Sequence, residues 1–347
     1  MHPLSFTLLA LLEVALAQAA EVLAPALVAQ KYGLATSTTL AFPTATLSTA
    51  DTQANIISNW GLGKGRIQDG ADNLAFVKDP YPDSESTVST GQLSSNGPVL
   101  QVTYPKDSYS HDTGGSQFYN LWNVTGSEQF QSMMVSYEVA FQDGFDWVKG
   151  GKLPGLRGGL NSTGCSGGNQ PTPTGDCFSV RLMWRKNANG ELYAYIPTAN
   201  KICDRKNVVC NSDFGTSFNR GSFGFVTGRW SRITLLVQLN NPPNVANGQI
   251  KLYYNDELAA DAQELQIRSS DAVSANGLFF STFFGGNDAS WATPETVNTY
   301  FRNIQLWAST GASTLTGPTI KNGAVSFHPA ATLICGSIVF WMISALV

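Results

Sequence analysis

Charge is scarce in this chain. Only 13% of its 347 residues are Asp, Glu, Lys or Arg, and the formal net charge is -4. That balance offers no global attraction to nucleic acid, so no nucleic-acid partner is expected and any anion site must be local. Histidine is nearly absent, with three residues, and only His111 lies away from the two ends. The five cysteines form no CxxC spacing and none has a neighbouring histidine, which argues against zinc. Paired carboxylates of the E-x-D-x-E strand type are missing as well, which removes the acid and base that glycoside hydrolysis uses. No acidic loop marks a calcium site. No cofactor is therefore expected, and any ion would be structural.

What is abundant is Gly (33), Pro (16) and aromatic residues (11%), in a chain that is 43% hydrophobic. This composition favours a β-rich exported protein over a helical cytosolic one. From Trp60 onward, short β-type runs alternate with turn-forming clusters. The runs cover 74–78, 99–104, 117–122, 134–141, 145–149, 178–184, 192–196, 230–239, 250–254, 278–284 and 300–307. Such punctuation predicts an all-β fold, an antiparallel sandwich over residues 60–307. A chain of this length can bury one large core as a monomer. Residues 20–59, rich in Ala, Thr and Ser, receive no assignment. Residues 308–324, rich in Ser, Thr and Gly, read as a stalk.

Both ends read as address labels. Residues 1–19 hold an apolar run ending near small-x-small sites, the pattern of a secretory signal, although Glu13 interrupts it and no basic flank precedes it. Residues 325–347 form a spacer and an apolar tail after small residues that begin at Asn322. That pattern predicts a glycosylphosphatidylinositol signal with attachment at Asn322, the rival being a C-terminal membrane segment. Export to the cell surface agrees with acceptor triplets at Asn123 and Asn161. It also agrees with four cysteines outside the tail, Cys165, Cys177, Cys203 and Cys210. Three connectivities are open to them. Local pairing, Cys165 with Cys177 and Cys203 with Cys210, is expected because both pairs sit in loop-like stretches.

One region stands out. Between Lys149 and Lys186, six basic residues (Lys149, Lys152, Arg157, Arg181, Arg185 and Lys186) face a single acid, Asp176. Two alternating segments follow one another here, FSVRLMW (178–184) and ELYAYI (191–196). In the first, Phe178, Val180, Leu182 and Trp184 form an apolar face, leaving Ser179, Arg181 and Met183 on the other. In the second, Leu192, Ala194 and Ile196 oppose Tyr193 and Tyr195. Both apolar faces must point to the core, so Ser179, Arg181, Tyr193 and Tyr195 share the exposed face. A two-residue Asn189-Gly190 turn would break this parity. A three-residue loop Ala188–Gly190 with Gly190 left-handed restores it, as does a five-residue loop Lys186–Gly190.

The set suits an anionic sugar polymer. The C5 proton of a uronate is weakly acidic, and its removal leaves an enolate-like anion that Lys and Arg stabilise through the carboxylate. A phenol then acts as base and a second acid protonates the departing O4. Neighbouring cations are expected to depress the phenol pKa for that role. Elimination needs no paired carboxylates.

GFDWVKGGKLPGL (144–156), the S-x-R of Ser179 and Arg181, the Y-x-Y of Tyr193 and Tyr195, and FFGGND (283–288) resemble polysaccharide lyase family 14, with similarity also to family 20 glucuronan lyases. The resemblance implies a β-jelly roll with a concave cleft and a polyuronate substrate, glucuronan- or alginate-like. It implies catalytic Lys152, Arg181, Tyr193 and Tyr195, with Ser179 contacting substrate. Lys149 is a further binding candidate, the pair Gly150-Gly151 being read as a bulge that re-aims it. His111 and Gln117, close together in sequence, are candidates for a helper and for carboxylate orientation. The alternative is a non-catalytic glycan-binding surface protein on the same fold, because binding and lysis would use one basic face.

Overall fold

The alternation read in the 178–196 hairpin recurs through most of the chain and sorts side chains between two sheets. The computed structural model describes residues 21–84, 97–122, 128–160, 164–169 and 176–320. The signal segment, Asn123, Asn161, Asn322 and the apolar tail lie outside the described residues. Among the described residues fifteen strands occur in chain order. They are β1 (Thr36–Thr39), β2 (Leu74–Val77), β3 (Val99–Tyr104), β4 (Ser116–Tyr119), β5 (Ser132–Phe141), β6 (Gly150–Gly159), β7 (Cys177–Arg185) and β8 (Gly190–Tyr195). The series continues with β9 (Val208–Val209), β10 (Thr216–Phe218), β11 (Trp230–Gln238), β12 (Gly248–Tyr254), β13 (Glu257–Leu265), β14 (Ala275–Phe284) and β15 (Val297–Ser309). One sheet runs β13-β12-β11-β5-β15-β3-β2, with β1 added against β15. The other runs β4-β14-β6-β7-β8-β10-β9. Both are antiparallel and neither closes into a barrel, the jelly-roll sandwich expected.

The core fills the space between the sheets. Val135, Tyr137 and Val139 of β5 meet Val180 and Leu182 of β7 and Leu278 and Phe280 of β14 in one apolar cluster. All ten residues of β5 are buried because its outer face is covered too. Part of that cover, over Met134, comes from the unassigned N-terminal segment, and Trp230, Tyr300 and Arg302 cover the rest. Helix α1 (Pro25–Lys31) places Val28 and Ala29 against Met134, Leu236 and Tyr253. A second helix, α2 (Thr49–Asn59), is capped by Ser48 and buries Ile56 in the main core. Beyond β15, the first part of the expected stalk lies against the 240–247 loop: Ala246 N–H donates to Pro318 O at 2.9 Å, and Asn247 Nδ2 to Leu315 O at 2.9 Å. Among the described residues, no helix is long and apolar enough to cross a membrane.

The expected strand 145–149 is instead a turn leading into β6. Five of the ten residues of β6 are glycine, so it lacks the β-branched signature, yet these glycines let neighbours approach. A Cβ on Gly155 would sit 2.0 Å from Val180 O. The bulge is also displaced from its expected place. Gly150 and Gly151 pair regularly with Arg185 and Trp184, and the register shifts between Leu153 and Leu156, where Pro154 and Gly155 face Arg181. Pro154 has no N–H for the ladder. Its carbonyl accepts from Tyr137 Oη at 2.9 Å, across the sandwich.

Candidate active site

The β7–β8 hairpin has the required odd parity with a shifted loop. Arg181 pairs with Tyr193 and Ser179 with Tyr195, and Arg185 N–H donates to Asn189 O at 2.7 Å. The loop is therefore Lys186–Ala188, with Asn187 and Ala188 both at φ 62°. Gly190 is not the left-handed residue. It is a close-approach site, since a Cβ there would lie 2.1 Å from the Phe223 ring.

The polar face is not open, as alternation alone implied. Ser179, Arg181, Tyr193 and Tyr195 are each at most 5% exposed. Two disulfide-tied loops lie over them. In the first, the Cys165–Cys177 bridge holds a strap whose Cys165 O accepts from Ser179 Oγ at 2.6 Å and whose Gly168 N–H donates to Tyr195 Oη at 3.2 Å. In the second, beyond the Cys203–Cys210 bridge, Gly215 N–H donates to Tyr193 Oη at 3.0 Å. The local disulfide pairing is thus as expected.

Between these loops and the 283–291 segment lies a cleft of about 600 Å³. Lys152, Arg181, Arg185 and Arg220 line it together with His111, Gln117, Tyr193 and Tyr195, and among the described residues no carboxylate does. Lys152 Nζ lies 4.3 Å over the Tyr193 ring and 3.2 Å from Met183 Sδ. Burial, with Arg181 and Arg185 beside it, holds the Lys152 ammonium well below the usual lysine range, against a smaller opposite pull from Glu191. Arg181 donates from Nη1 to Ser281 Oγ at 2.9 Å and stacks 4.4 Å over Phe279. Its Nε is buried without a partner. Arg185 and Arg220 differ: both pair with Glu191, which is fully buried and also accepts from Ser217 Oγ at 2.7 Å. Tyr193 departs from expectation. Burial and the adjoining Tyr195 push its phenol up, outweighing Arg181 and the Gly215 N–H. Desolvation of a phenolate exceeds the attraction of the cation.

The family model for polysaccharide lyase 14 matches residues 92–304. The chain belongs to polysaccharide lyase family 14. A PL-14 alginate lyase from Aplysia kurodai shares 33% identity with a TM-score of 0.61, covering 78% of this chain and 100% of its own. Alginate lyase Aly36B superposes with a TM-score of 0.55 at 21% identity, over 81% of this chain and 98% of its own. Alginate lyase vAL-1 from a Chlorella virus does so with a TM-score of 0.50 at 22% identity, over 65% and 90%. The last two show a shared fold. No curated protein matches the sequence.

In this polysaccharide lyase, the fold brings six of the eight expected site residues to the cleft: Lys152, Arg181, Tyr193, Tyr195, Gln117 and His111. Ser179 is not among the lining residues, because its hydroxyl is spent on the strap. Lys149 sits beyond the lining, 5.7 Å over Trp291 and bonded to Ser290. Arg157 of the basic run turns away to Asn276, 2.9 Å from its Nη1. The FFGGND segment supplies Phe283, Gly286 and Asn287 to the lining. Sequence reasoning missed Arg220, which carries no local signal, and the anchoring role of Glu191, which looked solitary beside the turn. His111, Asp69 and Asp112 bring ligand atoms within 4.8 Å of one another, the one metal-capable group among the described residues.

Proposed function

We propose that this family 14 enzyme cleaves an alginate-like polyuronate by β-elimination. The relative with the highest identity quoted above is an alginate lyase, and Aly36B has been seen with an alginate trisaccharide. The observation that carries the reading is Arg181, a buried guanidinium with an unpartnered Nε in a cleft lined by cations and by no carboxylate. A uronate carboxylate in the cleft compensates that guanidinium's charge and is in turn activated by it.

The groups then divide differently from the expectation that a tyrosine is the base. Lys152, depressed by burial and by two arginines, supplies a free amine to take the C5 proton. Tyr193, whose phenol holds its proton more tightly, donates it to the departing O4. The C5–H and C4–O4 bonds break, the C4=C5 and O4–H bonds form, and the proton on Lys152 returns to the Tyr193 phenolate between turnovers. Tyr195, tethered to the strap, packs edge-on against Tyr193 and lies under the Arg181 guanidinium, and so holds both in place. The two disulfides support export, and the apolar tail a lipid anchor at the cell surface, tested by release of the protein from cells with phosphatidylinositol-specific phospholipase C.

The test of activity is the near-ultraviolet absorbance of the unsaturated product when the purified protein meets alginate, glucuronan and other polyuronates. Product from alginate supports the proposal. Product from none of them overturns it, and product from glucuronan alone overturns the substrate.

A further inference from the structure

Arg181 has no carboxylate against it, yet its direction is fixed. Ser281 Oγ accepts from Arg181 Nη1 at 2.9 Å and donates to Gln117 Oε1 at 3.0 Å. Gln117 Nε2 in turn donates to Asp69 Oδ2 at 2.9 Å. The same Asp69 oxygen lies 3.2 Å from His111 Nδ1. Asp69 itself is held by backbone pairing with Gln117 on β4, through N–H to O contacts of 3.2 and 3.0 Å, and its carbonyl accepts from Ser116 Oγ at 3.1 Å. None of this carboxylate reaches the cleft lining.

The order of donors and acceptors is set from both ends: the Arg181 guanidinium only donates, so Ser281 accepts from it, and the orientation of Gln117 is left to Asp69. A carboxylate only accepts, so Gln117 must turn its amine toward Asp69 and its oxygen toward Ser281. Ser281 must then give its proton to Gln117, leaving its lone pairs for Arg181. We infer that Asp69 is a positioning residue for the elimination site: it fixes the polarity of the Gln117–Ser281–Arg181 chain and so aims the guanidinium at the substrate carboxylate. Two neutral side chains separate the two charges. Arg181 therefore stays free for the substrate, whereas Arg185 is partly neutralised by the Glu191 it touches.

This inference rests on the lyase reading above. Asp69→Asn keeps the shape but can present either an oxygen or an amine, so Gln117 loses its fixed orientation and no longer commits its oxygen to Ser281, which positions Arg181. The expected result is a fall of about 10- to 100-fold in kcat/KM on alginate, with weaker calorimetric binding of alginate oligosaccharides and an unchanged unfolding midpoint. Gln117→Leu cuts the same chain one step later, so the double variant Asp69→Asn/Gln117→Leu should lose no more than Gln117→Leu alone. Wild-type kinetics in Asp69→Asn, or losses that multiply in the double variant, would overturn the inference. Binding is read without turnover. If the wild-type protein binds oligosaccharide but forms no product, the lyase reading fails, while a binding loss in Asp69→Asn still supports positioning and unchanged binding overturns it.

Discussion

Replacing Arg181 by methionine should weaken catalysis and leave folding intact or improved. The guanidinium is 1% exposed, uses Nη1 on Ser281 and leaves Nε unsatisfied. A hydrogen bond to a charged group contributes about 1.5–3 kcal/mol, so one such bond to the substrate carboxylate accounts for roughly 10- to 100-fold in kcat/KM. The same vacancy costs stability in the free protein, since a buried donor without a partner is worth about 1–3 kcal/mol of destabilisation. Methionine keeps apolar contact with Phe279, which Arg181 stacks on at 4.4 Å, and forfeits a cation–π term of about 0.5–2 kcal/mol. The lost Nη1–Ser281 bond costs about 1.5–3 kcal/mol more, and removing a buried charge with no carboxylate against it returns a comparable amount, as replacements of buried ions by apolar residues commonly do, so the net change in stability is small. Initial rates on alginate and thermal unfolding of Arg181→Met check both halves. A normal rate would remove Arg181 from the chemistry. A collapse of the unfolding midpoint would make it structural.

Because burial, Arg181 and Arg185 depress Lys152, activity should rise with pH as Lys152 loses its proton, and in Arg181→Met a pH–rate profile should show that rise displaced to higher pH. Between the lowered folded value of Lys152 and its ordinary 10.5, the unfolded chain holds the extra proton, so stability from this group rises with pH. Lys152→Met should flatten that slope in denaturation measured across pH. Tyr193→Phe should lower kcat by about 10²–10⁴-fold with little change in KM, measured by steady-state kinetics. Cys165→Ser with Cys177→Ser opens a bridge spanning 12 residues and should cost about 2–4 kcal/mol in denaturant unfolding. It should also raise KM, because Ser166 and Gly167 of that strap line the cleft.

The sandwich was legible because β5, β7 and β11 alternate cleanly between a core face and another face, and β14 and β15 do so on either side of a register shift, so period two survives in composition. Strand β6 was not, since its glycines serve close contact rather than propensity. β13, rich in Ala and acidic residues at a sheet edge, gave no signal either. At the site, parity placed Arg181 on the same face as Tyr193 without the structure, but parity reports which face a side chain takes and nothing about the exact register or what later covers it. The loops that bury Ser179 and Tyr195 arrive from 164–169 and 211–215, and Arg220 arrives from beyond β10. Such contacts depend on loop paths that local patterning does not encode. The direction of the Lys152 and Tyr193 shifts was hidden for the same reason: it is set by desolvation, which exists only once those loops close.

That burial also explains how a weakly charged chain recognises a polyanion. An exposed cluster of cations would be screened by salt and would bind through many weak contacts. Here Arg302 shows the ordinary treatment of a buried arginine, paired with Asp79 and Glu138 in the other sheet. Arg181 receives the opposite treatment. Its direction is held through neutral Ser281 and Gln117, its face is packed on Phe279, and its charge is left for the substrate. Neighbouring Lys152 yields its proton because it is buried and, in addition, because Arg181 keeps its charge, so the guanidinium provides the carboxylate site and adds to the tuning of the base. The two roles make opposite demands on any compensating acid. A carboxylate placed directly against Arg181 would stabilise the fold, occupy the substrate's position and raise Lys152 back toward the protonated state. The acid therefore has to stand off, where Asp69 is.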